Sequence, residues 1–399
     1  MNVVVSRPIM GPLAPFAEGF VAELTNRGYS VQAIRSHRGL LAHLSQWLAE
    51  SQLGVRELTP EVAEKFLRAR REDGYVRKVS ERGLQPLVGY LRELGELSET
   101  SVVRSPKDEL VELFRRYQLE ERGLAREVVT NYARVARLLV ATRDEPIQAS
   151  LAGLSAADVS AFVLDECAKR GTADAHNVIS ALRAFLRFLY VEGWTRRDLT
   201  SAVLKLARRR RELPRALEAE HVVRLLAGCD RTTPAGTRDF AILTVLTRLG
   251  VRAGEVARLE LRDVDWHTGE VLIRGKGPRL DRLPLPWDVG EALAIYLRQS
   301  RPRCSHPRLF IRSCAPLTGL SRQAIGGIVR AAAVRAGLPP FGPHRLRHTV
   351  ATGLLRRGAA LPEIAQLLRH KSLHTTAIYA KVDQAALSTL ALAWPGVEA

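Results

Sequence analysis

Cysteine is scarce in this chain of 399 residues, with four in all, Cys167, Cys229, Cys304 and Cys314. None forms a C-x-x-C pair, which argues against a zinc cage and against a disulfide framework. They are expected to be small buried hydrophobes in a reducing cytoplasm. Aromatic residues are sparse at 6%. No apolar run approaches the roughly 18 residues that span a bilayer, so no membrane partner is expected. The stretch from Met1 to Pro15 lacks a charged segment followed by a long apolar one, and so does not read as a secretion signal. Nothing matches the H-E-x-x-H pattern of a zinc hydrolase.

Positive charge is abundant. Sixty Lys and Arg against 42 Asp and Glu give a net charge of +18 and favour a polyanionic partner. The excess is uneven: 14 basic against 12 acidic residues over 1–105, 19 against 15 over 106–212, and 27 against 15 over 213–399. The last segment therefore carries most of it, as expected if that part closes on phosphates. Ala, Leu and Arg dominate the composition, which points to a mainly helical protein.

The first half repeats itself. Arg27-Gly28 leads into an apolar helical pattern through Ile34, Leu40, Leu41, Leu44, Trp47 and Leu48. Arg122-Gly123, 95 residues later, leads into another through Val128, Tyr132, Val135, Leu138 and Leu139. Thr59 and Ser155 then stand as N-caps of a middle helix. A third helix follows each, through Leu84, Leu87, Leu91 and Leu94 in the first copy and Ile179, Leu182, Leu186 and Leu189 in the second. The reading is two tandem small helical bundles, 1–105 and 106–205.

A basic linker at 206–216 follows, with Arg208, Arg209, Arg210 and Arg211 consecutive. It reads either as a solvated connection or as a strap along DNA. Residues 217–399 form a third, mostly helical domain with a small antiparallel sheet. Its strands are expected at Val264–Trp266, Val271–Ile273 and Arg282–Leu285, with a turn at His267-Thr268-Gly269.

This last domain holds a row of cationic side chains followed by one tyrosine. Arg252 opens a helix after a glycine break, where a guanidinium can fork onto phosphate oxygens; Glu255 either braces it or only occupies the first turn. Lys276 lies between two glycines in a turn, placed to protonate a leaving alkoxide. Pro343 starts a helix on which His344 and Arg347 share a face. His348 and His374 stand four residues after His344 and His370, a metal-like spacing. Arg345, Arg347 and Arg369 would oppose a dication there, so no metal is expected. Tyr379 lies nine residues after His370. Such a set can hold a phosphodiester, neutralise it and attack it with a phenol.

The strings GVRAGE at 250–255, GKGPRLDRLPL at 275–285, HRLRHTVATGLL at 344–355 and LLRHKSLHTTAIYAKV at 367–382 resemble the tyrosine recombinase (phage integrase) family. The resemblance spans the C-terminal half. It implies Arg252, Lys276, His344, Arg347 and His370 as the activating set and Tyr379 as the nucleophile. It also implies a 3′-phosphotyrosyl intermediate, strand exchange between two DNA sites held by four protomers, and no cofactor. The unit at 106–205 resembles the family's core-binding domain.

The first unit is an addition, expected to extend the DNA footprint or to contact protomers or companion recombinases. Arg369 stands where the family usually has glycine. With Arg208 to Arg211, Arg282 and Arg345, it is expected to contact duplex DNA. The apolar tail through Leu387, Leu390, Leu392 and Trp394 is expected either on a neighbouring subunit or on its own domain. Integration and excision of a mobile element is the expected role. A topoisomerase with the same chemistry and a catalytically idle DNA-binding regulator are the competing readings.

Overall fold

Short side chains set the starts of the helices. Ser30, Thr59, Ser105, Ser155, Thr233 and Ser321 each accept a hydrogen bond from a backbone N–H of the following first turn, satisfying one of its orphan donors. Pro follows at the first helical position after Thr59, Ser105 and Thr233, where its missing N–H costs nothing. The computed structural model describes residues 9–97, 105–169, 172–203, 216–275 and 280–369.

The first bundle consists of α1 (Ala17–Asn26), α2 (Val31–Glu50), α3 (Pro60–Glu72) and α4 (Glu81–Glu93). Phe20, Leu24, Leu40, Leu41, Leu44, Phe66, Leu84, Leu87 and Leu91 form its core. The second consists of α5 (Pro106–Glu120), α6 (Arg126–Ala141), α7 (Ile147–Ala152), α8 (Ala156–Ala168) and α9 (Thr172–Val191). Its core gathers Phe114, Val135, Leu139, Val159, Leu182, Phe185 and Leu189.

The repeated helices occupy α2 and α6, α3 and α8, and α4 and α9. The glycines before α2 and α6 both have positive φ, Gly28 at 77° and Gly123 at 59°, a conformation that only glycine adopts without strain. Leu94 departs from the expected pattern. It caps α4 and is 50% exposed, because Gly95 at φ 74° turns the chain away from the core. The leading helices α1 and α5 were not anticipated.

The remaining described elements begin with α10 (Ala219–Ala227), α11 (Pro234–Leu249) and α12 (Ala253–Arg258). A sheet follows, with β1 (Val264–Asp265), β2 (Glu270–Arg274) and β3 (Leu280–Pro284). The last described helices are α13 (Trp287–Ile295), α14 (Arg322–Arg335), α15 (Pro343–Arg356) and α16 (Leu361–Leu367). The strands are antiparallel in the order β1-β2-β3, with Val264 opposite Val271 and Leu272 opposite Arg282. Asp265 fastens the β1–β2 turn by accepting from the N–H groups of His267 and Thr268. A mainly helical protein with a small antiparallel sheet is what the composition and turn signals predicted.

Residues 9–97 and 216–369 belong to one compact unit, and 105–203 to a second. Within the former, the N–H of Leu317 donates to the carbonyl of Arg27 at 2.9 Å. A Cβ on Gly28 would lie 2.3 Å from Leu317 Cδ1, so the glycine also makes room for that side chain. Among the described residues no helix is long and apolar enough to cross a membrane.

Candidate active site

The site begins at the end of α11. Gly250 takes a left-handed turn (φ 58°), and a Cβ there would press on Leu368 Cδ2 at 3.1 Å and Val350 Cγ1 at 3.3 Å. Glycine thus lets three chain segments meet: the α11–α12 corner, α15 and the end of α16. Val251 is buried beside it, and Arg252 becomes the N-cap of α12. Glu255, three residues on, accepts from the Arg252 backbone N–H and from its Nη1, each at 2.8 Å. Of the two roles the sequence left open for Glu255, bracing is the one observed. The Arg252 side chain keeps 40% of its surface exposed, so its guanidinium is fixed at one edge and open at another.

Pro343 starts α15, and one turn carries both His344 and Arg347. Arg347 is only 5% exposed. Its Nη1 donates to the Gly250 carbonyl at 2.6 Å, and its Nη2 donates to the Leu368 carbonyl. One guanidinium thereby ties the segment before Arg252 to the segment before His370. His344 reaches the surface, yet the protein packed around it pushes its pKa below the ordinary value, with Arg322, Arg347 and Arg252 adding to the shift. Its imidazole is therefore neutral at pH 7 and able to accept a proton. Burial likewise lowers His348, helped by His344 and Arg347. Among the described residues no cluster of His, Cys, Asp and Glu is arranged to hold a metal ion.

Arg369 requires a correction. Expected as a DNA contact, it is 4% exposed and its Nη2 donates to Glu255 Oε2 at 2.6 Å. Its guanidinium is turned to a buried carboxylate and has little surface to offer a phosphate. Arg282 lies exposed on β3 with Nη1 3.1 Å from Glu270 Oε2, and Arg345 sits over the Phe341 ring at 5.1 Å. Lys276, His370, Tyr379 and the run Arg208, Arg209, Arg210 and Arg211 lie outside the described residues, as does the apolar tail.

The sequence reading missed Arg322. It stands at the first position of α14, its Cδ 3.8 Å from where a Cβ on Gly254 would lie, and it acts on His344. No motif marks it among the many arginines; only the fold brings α14 beside α12 and α15. Arg252, Arg322, His344 and Arg347 thus come together from three helices. Such a group suits an anionic, tetrahedral ligand whose charge rises during reaction.

The profile of the phage integrase family matches residues 215–386. That of the family's N-terminal SAM-like domain matches twice, at 17–99 and 111–193. A Sinorhizobium fredii (strain NBRC 101917 / NGR234) protein described as integrase/recombinase y4rA is 39% identical over 99% of this chain and 98% of its own length. Tyrosine recombinase XerD of Listeria monocytogenes serotype 4b (strain F2365) is 30% identical over 69% of this chain and 95% of its own. A crystal structure of the XerH site-specific recombinase bound to its difH substrate shares the fold, with a TM-score of 0.52 and 19% identity over 81% of this chain and 93% of that one.

Proposed function

The chain belongs to the phage integrase family and is a site-specific tyrosine recombinase, and from that premise we propose how its residues divide the work. Tyr379 Oη attacks the scissile phosphorus and forms a 3′-phosphotyrosyl bond, its proton passing towards neutral His344. The P–O bond to the 5′ oxygen breaks, and Lys276 gives that oxygen a proton. Arg252 and Arg347 offset the charge building on the non-bridging oxygens, with His370 as a further donor to the phosphate. The ester conserves the energy of the bond it replaces, so the 5′-hydroxyl of a partner strand can reverse the step without a nucleotide cofactor.

One observation carries this reading. The Arg347 guanidinium bonds the carbonyls of Gly250 and Leu368, drawing together the segments that lead to Arg252 and to His370.

Exchange of both strands at two duplex sites cuts four strands, and each cut uses one tyrosine. Four protomers on two sites follow, with the unit at 106–205 gripping the duplex and the tail through Trp394 passing between neighbours. We place the activity in the cytoplasm, in the integration and excision of a mobile element. The relative described as an integrase/recombinase supports this, because it matches along the whole chain, first bundle included, whereas the XerD match covers 69%. The first bundle is then left for contacts between protomers or with a companion recombinase.

Tyr379→Phe tests the assignment. The variant should form no covalent adduct with a cognate duplex, while its Kd for that duplex stays within about twofold, because affinity rests on many phosphate contacts. Adducts persisting in the variant would remove Tyr379 from the mechanism.

A further inference from the structure

Arg369 occupies an expensive position. Its φ of 53° lies in the left-handed region, which costs a residue with a Cβ on the order of 1 kcal/mol. Its guanidinium is also buried, and its Nε makes no hydrogen bond among the described residues. What it gains is a carboxylate. Glu255, 3% exposed, lies between two guanidiniums, with Oε2 2.6 Å from Arg369 Nη2 and Oε1 2.8 Å from Arg252 Nη1. The Arg369 Nε also lies 3.8 Å from Asp281 Oδ2, at the second residue of β3. Burial alone would raise the Glu255 pKa; Arg369 is the largest opposing influence and Arg252 the next, and the carboxyl is held below its usual value.

Charge shows what this does. Arg252 with Glu255 alone is a neutral pair, and a neutral pair attracts a phosphate weakly. Arg252, Glu255 and Arg369 together carry one positive charge; Asp281, 3.8 Å from the Arg369 Nε, draws on Arg369 from another side, so the carboxylates are shared at the buried guanidinium and the exposed Arg252 keeps its own charge towards solvent. We infer that Arg369 is a positioning residue for recombination: it takes up half of the Glu255 charge, leaving Arg252 cationic towards the scissile phosphate, and holds the Arg252 and β3 segments beside the chain that leads to His370. This rests on the assignment of Arg252 to the catalytic set.

The test is single-turnover formation of the covalent adduct on a nicked cognate duplex, with duplex affinity measured in parallel. Arg369→Met should slow adduct formation by about tenfold or more with duplex Kd within about twofold, the split expected when only transition-state stabilisation is lost. Arg369→Lys, which keeps the charge, should recover part of the rate. The double variant Glu255→Gln/Arg369→Met should react faster than Arg369→Met alone, because Arg252 is then released from an unshared carboxylate.

A merely structural Arg369 predicts the reverse ordering, with the double variant as slow as the single or slower, and that result overturns the inference. So does an unchanged rate in Arg369→Met. If Arg369→Met does not fold, Arg369→Lys and the double variant, which leave no uncompensated charge on Glu255, decide alone: rates for both at or below a tenth of wild type overturn it. Tyr379→Phe run alongside separates the two failures. Adducts lost in that variant with Arg369 variants at wild-type rate remove only the role of Arg369.

Discussion

Among single residues, Lys276 offers the sharpest chemical prediction. If it protonates the departing 5′ oxygen, Lys276→Ala should cut the cleavage rate by about 10²–10⁴-fold on ordinary DNA. On a duplex with sulfur at the bridging 5′ position the leaving thiolate needs no proton, and the variant should regain most of the rate. A variant equally slow on both substrates would give the lysine another job. Legibility at this scale follows the same divide between local and distant information. Arg252, His344 and Arg347, which the structure brings together, each follow a helix-ending glycine or a helix-starting proline whose backbone meaning is local. Arg369 was misread for a physical reason: an arginine in a basic stretch resembles a surface contact until its buried acidic partner, 114 residues away, is known. Arg322 had no local signal at all.

Helices and strands were legible where punctuation was strong. Thr59 and Ser155 located α3 and α8, and the His267-Thr268-Gly269 turn located the hairpin. The helices α1 and α5, which bury Phe20 and Leu24 in the first case and Leu110, Val111, Phe114 and Gln118 in the second, were overlooked because each precedes the Arg-Gly signal from which its copy was read. Within α2, His37 makes a pH prediction. Its ring packs edge-on against Phe20 and Tyr29, and burial together with nearby Lys78 brings its pKa down to about 4. Unfolding restores the ordinary value near 6.5, so between about 4 and 6.5 the unfolded chain binds the extra proton and stability rises with pH. Lowering the pH through this window should remove up to about 3 kcal/mol from the unit containing α2. Urea unfolding at stepped pH should show the loss, and His37→Phe should flatten it; an equally steep loss in that variant would assign it to other groups.

For the whole molecule, the grouping of the first bundle with the C-terminal half was invisible in the sequence, since Arg27 and Leu317, which share a hydrogen bond, are 290 positions apart. The charge distribution was visible, and it predicts a division of labour. Residues 1–105 hold 14 basic against 12 acidic groups, a net charge of only +2 that draws a polyanion weakly. Deleting 1–104 should therefore change the slope of log K against log salt by less than about 1, the contribution of roughly one phosphate contact. A larger change, or a shortened footprint, would put the first bundle on the duplex.

The bond from Arg347 to the Leu368 carbonyl also sets a radius of action. Beyond that pinned carbonyl the chain runs eleven residues to Tyr379. Even drawn taut, such a leash spans no more than about 40 Å. If Tyr379 is the nucleophile, its phenol can work only on a strand inside that circle, whichever subunit owns the strand, and DNA lying further out has to be bent or carried inward before it can be cut.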